Sequence, residues 1–481
     1  MTELPEDGVR AEPEARPPSA FLSLRVTAAC TALAVLLVTA FVGFYPSGPL
    51  EQLQFPEESL ERLVSRELDL RAAARRAPSW ERALHAFLGA YQESLDEPIR
   101  RYEELAEATE SAPADLHRMI LVAEAAREEG APASPSLADQ PAGGEPGGRM
   151  AAWIQAAYSS EALDSGTGRI LIAQLREDLP ESWFADVLVA QIAARIGDAA
   201  TEGEARSAIL GRGEALLWRW RAVLGVEAIL LFLAAIVLVQ MLRGRFPLQL
   251  SAAPLPPPWP GLDGYGLFIR GVLGFLLVSA PLLFLLPHDN PLIGVFTLLA
   301  GLPLLWWTRR YLAVRGLTAA STFGLAPPQG GAARLAGVTV ALIGLSMVGE
   351  AAIAAAMEAL RFESHWAEGL SEEVLWAPAW LTAAETMDSA VWTPIVEELA
   401  FRGLLFGALR TRLALWPAAL FSAAVFAVAH GYSPIGFAAV LWSGVLWAVA
   451  YERTGSLVPG ILAHAVNNLL VSLTQLLLLR L

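Results

Sequence analysis

Six residues near the C-terminal end combine types and spacings suited to hydrolytic chemistry: Glu397, Glu398, Arg402, His430, His464 and Asn468. On an α-helix Glu398 and Arg402 are four positions apart, stacked on one face and able to pair. Glu397 points about 100° away from them. Adjacent carboxylates in a low-dielectric site do not both ionise easily unless one is neutralised. Arg402 can hold Glu398 charged, which leaves Glu397 as the carboxylate suited to general-base work. Phe426 and His430 are again four apart, as are His464 and Asn468. Neutral His and Asn both donate hydrogen bonds, which an oxyanion site requires. Each pair alone has a structural explanation: a snorkelling charge cluster at a helix end, or hydrogen bonding between membrane helices. A base, two imidazoles, an amide and a charge-holding Arg on three of four consecutive apolar segments are hard to attribute to packing.

The elements that must position these groups are membrane helices. The chain has 481 residues, 54% of them hydrophobic, with a mean hydropathy of +0.44, more apolar than soluble domains usually are. Spans are expected at Val26–Tyr45, Ala222–Leu242, Tyr265–Leu286, Pro291–Trp307, Leu335–Ala359, Ala379–Val396, Pro417–His430, Ile435–Tyr451 and Val458–Leu479. Residues 1–25, rich in Pro, Glu and Ala, read as a disordered cytoplasmic tail, and 26–45 as an uncleaved anchor. Residues 46–217 read as an extracytoplasmic helical domain with a Pro/Gly/Ala/Ser linker near 130–148. Amphipathic spacing is clearest there at Ser79–Ala106 and Trp183–Ile196. Residues 218–262 supply a second span and the Pro-rich linker Ala253–Pro260, and 263–481 a seven-span bundle. The fold class is therefore all-α, a polytopic transmembrane bundle with an inserted extracytoplasmic helical domain.

Composition also excludes. The formal net charge is −15 and no basic patch stands out, which argues against a nucleic-acid partner. The single Cys30 excludes an intramolecular disulfide framework and a CxxC zinc site. All 34 basic residues are Arg, in keeping with a high-GC genome, and the expected location is a bacterial cytoplasmic membrane. Residue 441 is Leu, so Ser443-Gly444 does not complete GxSG, and Asp388 has no second intramembrane aspartate to form a dyad.

In order and spacing, the elements EExxxR (Glu397–Arg402), FxxxH (Phe426–His430) and HxxxN (His464–Asn468) resemble those of the CPBP or ABI family. That family includes type II CAAX prenyl endopeptidases and bacteriocin-immunity-type proteins. The resemblance covers roughly Trp380 to Leu479. It implies an all-helical intramembrane endopeptidase acting on a membrane-associated protein or peptide, with its site open toward the cytosolic leaflet. It also implies roles. Glu397 and His430 activate water, His464 and Asn468 stabilise the oxyanion, and Glu398 and Arg402 support Glu397. The cofactor stays open. Glu397, His430 and His464 could form the three-ligand site of a catalytic zinc, but the HExxH helix is absent, and a metal-free glutamate mechanism is preferred. Two other classes remain alternatives: a transporter, which should show paired repeats or broken helices, and a non-catalytic immunity or scaffold protein.

Twelve arginines fall on one side of the expected spans: Arg10, Arg16, Arg25, Arg243, Arg245, Arg309, Arg310, Arg315, Arg402, Arg410, Arg412 and Arg453. The short loops and tail of the other side hold only Arg361 and Arg480. The positive-inside rule then puts the N-terminus in the cytoplasm and residues 46–217 outside. A single cysteine placed at Ala131 should react with an impermeant thiol reagent in intact cells, and one at Ala313 should not. The reverse pattern would overturn this topology.

Overall fold

A computed structural model describes residues 22–44, 48–87, 94–109, 112–130, 147–285 and 298–481. Among them the chain is helical, without strands. An apolar helix α1 (Leu24–Phe44) opens it. An insert follows, built from α2 (Pro56–Ala74), α3 (Ser79–Phe87), α4 (Asp96–Thr109), α5 (Ala112–Glu128), α6 (Gly147–Tyr158), α7 (Ser165–Asp178) and α8 (Trp183–Arg195). Then come α9 (Ala199–Leu242), α10 (Gly261–Leu285), α11 (Leu302–Val314), α12 (Gly331–Ala359) and the short α13 (Glu372–Trp376). The continuous helix α14 runs over residues 379–410, and α15 (Leu415–Val428), α16 (Pro434–Thr454) and α17 (Val458–Gln475) complete the bundle.

The insert has its own core, in which Leu60, Val64, Tyr102, Ile120, Phe184 and Leu188 are buried. Its helices start where the sequence supplies a cap: Asp164 accepts from Thr167 N–H, Ser182 from Ala185 N–H and Asp198 from Thr201 N–H. The expected amphipathic stretch Ser79–Ala106 is two helices, with 88–93 outside the described residues, as are most of the expected linker near 130–148 and residues 1–21 of the expected tail.

Five helices are long and apolar enough to span a bilayer: Ala199–Leu242, Gly261–Leu282, Gly331–Ala359, Pro434–Thr454 and Val458–Arg480. Leu24–Ala40 and Leu415–Val428 are shorter apolar helices. Together they make this an integral, multi-pass membrane protein. Helix α9 is far longer than the expected span Ala222–Leu242. Its 44 residues, about 66 Å at ~1.5 Å each, begin in the insert and end in the bundle. Ile229, Phe232 and Ile236 stay exposed on it, as a lipid-facing surface should, while Ala234 lies against Gly344 of α12. A Cβ on Gly344 would come within 2.3 Å of that of Ala234, so only glycine permits this crossing. Part of the expected span Pro291–Trp307 falls outside the described residues.

Helix α14 corrects two expectations. The charges at 397, 398 and 402 suggested that a span ended at Val396, yet the helix continues to Arg410, so the cluster lies within it. Arg402 is 1% exposed and cannot count among the loop arginines. Two segments of α14, Asp388–Trp392 and Glu398–Phe406, have π-helical bonding, as in Thr393 N–H to Asp388 O and Gly407 N–H to Arg402 O. Pro394 accounts for one consequence. In the π register residue 394 would donate to the Ser389 carbonyl, but proline has no N–H. Asn468 Nδ2 donates to that carbonyl instead, at 2.8 Å.

Residues 361–378 form a strap leading into α14 and fastened on both sides. On the insert side, the Glu372 carboxylate accepts from Gln54 N–H (2.7 Å), Phe55 N–H (2.8 Å) and Ser59 Oγ (3.0 Å). Trp376 Nε1 donates to the same Ser59 Oγ, His365 Nε2 lies 3.0 Å from Glu104 Oε1, and Arg100 pairs with Glu363. On the bundle side, Gln475 of α17 bonds Ser371 N–H and the Gly369 carbonyl, and Glu368 accepts from Ser433 N–H at 3.2 Å. Glu372→Ala should unfasten the insert edge, since each bond to a charged acceptor is worth about 1.5–3 kcal/mol. Hydrogen exchange read by mass spectrometry should rise at Gln54 and Phe55 with α15–α17 unchanged. Unchanged exchange at those two amides would show that the clamp does not hold the strap.

Candidate active site

The centre of the bundle is a buried ion pair. Arg402 Nη1 donates to Glu398 Oε1 at 2.8 Å, and both side chains are 1% exposed. The guanidinium carbon lies 4.2 Å from the Phe426 ring centroid and 5.0 Å from that of Trp447, so aromatic faces on α15 and α16 flank the cation. Two glycines make room. A Cβ on Gly444 would be 3.0 Å from Arg402 Nη2 and 2.9 Å from the Ala423 Cβ, and one on Gly460 would be 3.1 Å from Glu398 Oε2. Helices α15 and α16 therefore approach closely where the pair sits.

Glu397, one residue away, keeps 26% of its side chain exposed. The i, i+4 geometry thus divides the two glutamates as the sequence implies: Glu398 committed to Arg402, Glu397 open. His464 faces both. Its Nε2 is 3.7 Å from Glu397 Oε2, and its Nδ1 is 3.4 Å from Glu398 Oε1 but poorly aligned for a hydrogen bond. Its ring is held by stacking on Trp447, with centroids 4.3 Å apart and planes at 21°. Glu397 Oε2, Glu398 Oε2, Arg402 Nε and Nη2, and His464 Nδ1 are buried without a protein hydrogen-bond partner.

His430 lies at the end of α15 with Nδ1 2.8 Å from the Phe426 carbonyl. That bond makes Nδ1 the protonated nitrogen and leaves the Nε2 lone pair available. No ion pair within 4.0 Å joins it to Glu397, so the imidazole in contact with the glutamates is His464. Asn468 joins the site from α17, where its amide Nδ2 donates one N–H to Ser389 O. Ser443, dismissed above as a nucleophile, is hydrogen-bonded to Ser346 and Glu350. Among the described residues no three His, Cys, Asp or Glu side chains converge to hold a metal ion. Glu397, His430 and His464, which could have supplied a three-ligand zinc site, are not such a group in this arrangement.

Sequence reasoning missed Trp447, Gly444, Gly460 and Pro394. The available signals were a Gly and a Trp three apart on α16, a Gly four before His464, and a Pro three before Glu397.

Residues 375–470 match a family model, Rce1-like, described as type II CAAX prenyl endopeptidase Rce1-like. The chain thus carries an Rce1-like domain running from α13 into α17, and all six candidate residues lie within it. No curated protein and no solved structure matches the chain.

Breaking the buried pair from one side should cost about 3–5 kcal/mol, because it strands a charge. Arg402→Met or Glu398→Gln should each lower thermal stability in detergent, and the double substitution should recover much of the loss. Additive losses in that cycle would show that the pair is not coupled.

Proposed function

We propose that this protein is an intramembrane endopeptidase of the CAAX-protease-like class, hydrolysing peptide bonds of membrane-associated proteins with water activated by Glu397 and His430. The observation that carries this reading is the split between adjacent glutamates, one locked to Arg402 and the other open beside His464. The Rce1-like domain supports the peptidase class. A bacterial cytoplasmic membrane, with residues 46–217 outside, is the setting proposed for it.

The reaction follows from these groups. A water between Glu397 and His430 Nε2 gives a proton to Glu397 as its oxygen attacks the scissile carbonyl carbon. The carbonyl oxygen becomes an oxyanion, which accepts from the second Asn468 N–H and from His464 Nε2–H. The C–N bond then breaks, and Glu397 returns its proton to the departing amine. Glu398 and Arg402 touch no reacting atom. They fix the helix face from which Glu397 projects.

Glu397→Gln should abolish cleavage in proteoliposomes, since an amide cannot take the water's proton. Glu398→Gln should leave partial activity, because it disturbs support rather than chemistry. Membrane proteins that accumulate uncleaved on Glu397→Ala, identified by mass spectrometry, would name the substrate. Complete and equal loss in both glutamine variants would refute this division of roles.

A further inference from the structure

Between the insert and the strap lies a cavity of about 680 Å³, a size typical of ligand sites. One face of α2, the turn before α8 and Trp376 of the strap line it. Some of its charges are already committed. Arg212 grips Asp69 at 2.8 and 3.2 Å and Asp186 at 2.6 Å. Arg62 lies over the Trp376 ring at 5.2 Å. Others are not. Arg66, half-buried on α2, makes no hydrogen bond or ion pair among the described residues, and burial together with Arg62 pushes its pKa down. Glu58 and Glu181 also line the cavity, exposed and without such partners. An uncommitted cation, two uncommitted carboxylates and apolar Trp376 and Phe55 share one space. That mixture disfavours a phosphate, which two carboxylates would repel, and suits a peptide bearing both signs of charge.

We infer that this cavity is an exosite that holds an extended substrate segment carrying both an acidic and a basic side chain, Arg66 taking the acid and Glu58 or Glu181 the base. The inference rests on the peptidase reading. Its place in the fold links it to the active site. Trp376 precedes α14, and from Ala379 to Glu397 the helix advances about 27 Å at ~1.5 Å per residue. An extended segment covers that distance in about eight residues, a helical one in about eighteen. The mixed-charge segment should therefore lie about eight to eighteen residues from the scissile bond, by the same rises per residue.

The test uses full-length Glu397→Gln protein in nanodiscs and fluorescein-labelled peptides of alternating Glu, Leu and Arg, beside peptides of Glu and Leu or of Arg and Leu. The mixed peptide should bind. Arg66→Gln and the combined Glu58→Gln, Glu181→Gln variant should each weaken it by about tenfold or more, and Arg66→Lys should restore part of the loss. In otherwise wild-type protein, Arg66→Gln should raise KM for a substrate bearing the segment, leave kcat unchanged, and spare a substrate lacking it. Binding of only a singly charged peptide, or binding indifferent to both variants, overturns the exosite. So does Arg66-dependent capture of anionic vesicles that the mixed peptide cannot displace. Arg66-dependent peptide binding without any cleavage would support the site and overturn the peptidase reading, whereas cleavage without peptide binding would do the opposite.

Discussion

The arrangement of the bundle depends on burying the Glu398–Arg402 pair. Taking two charges out of water costs several kcal/mol per ion, and the mutual attraction offsets this only with close geometry and company. The company here comes from three other helices: Phe426 on α15, Gly444 and Trp447 on α16, and Gly460 on α17. None of those helices can slide without exposing the cation to lipid or driving a Cβ into it. The same aromatic wall then sets the imidazole, because Trp447 stacks on His464 while facing Arg402. The buried pair therefore fixes where the neighbouring side chains His464 and Trp447 stand.

What could be read from the sequence was what is local to one helix. The i, i+4 relation of Glu398 and Arg402, and the divergence of Glu397, follow from 3.6 residues per turn and survive in the fold. The length of α14 did not follow, because a run of charges looks the same at a helix end as at a buried pair. Only partners on other helices distinguish the two. The pairing of histidines was hidden for the same reason: nothing in the spacing says that His464, rather than His430, meets both carboxylates. Pro394 was visible, but its consequence needed the facing Asn468. The docking of Glu372 on Gln54, Phe55 and Ser59 joins positions more than three hundred residues apart, beyond any periodicity argument.

The insert is mechanically continuous with the site along two routes. Helix α9 carries it directly into the bundle, where Arg219 donates to the Leu477 carbonyl. The strap carries it to α14, and through Glu368 to the Ser433 amide, three residues after His430. The buried pair is rigid by necessity, whereas the strap is held by hydrogen bonds that are partly exposed and so cheaper to open. The contacts of the insert and strap thus reach the start of α14 and the His430 turn, not Glu398 and Arg402.

His464 then decides how the donors are shared. A neutral imidazole has one N–H and cannot serve both glutamates. Glu398 Oε1 already has Arg402 at 2.8 Å, and His464 Nδ1, buried 3.4 Å from it, is misaligned for donation. Glu397 Oε2 has no donor, and Nε2 faces it. The proton therefore belongs on Nε2, directed at the open carboxylate. In the proposed reaction, when a carbonyl oxygen becomes negative beside it, the same N–H turns to that oxygen without a proton moving. Stacking on Trp447 fixes the plane of the ring but leaves its edge free to make that exchange.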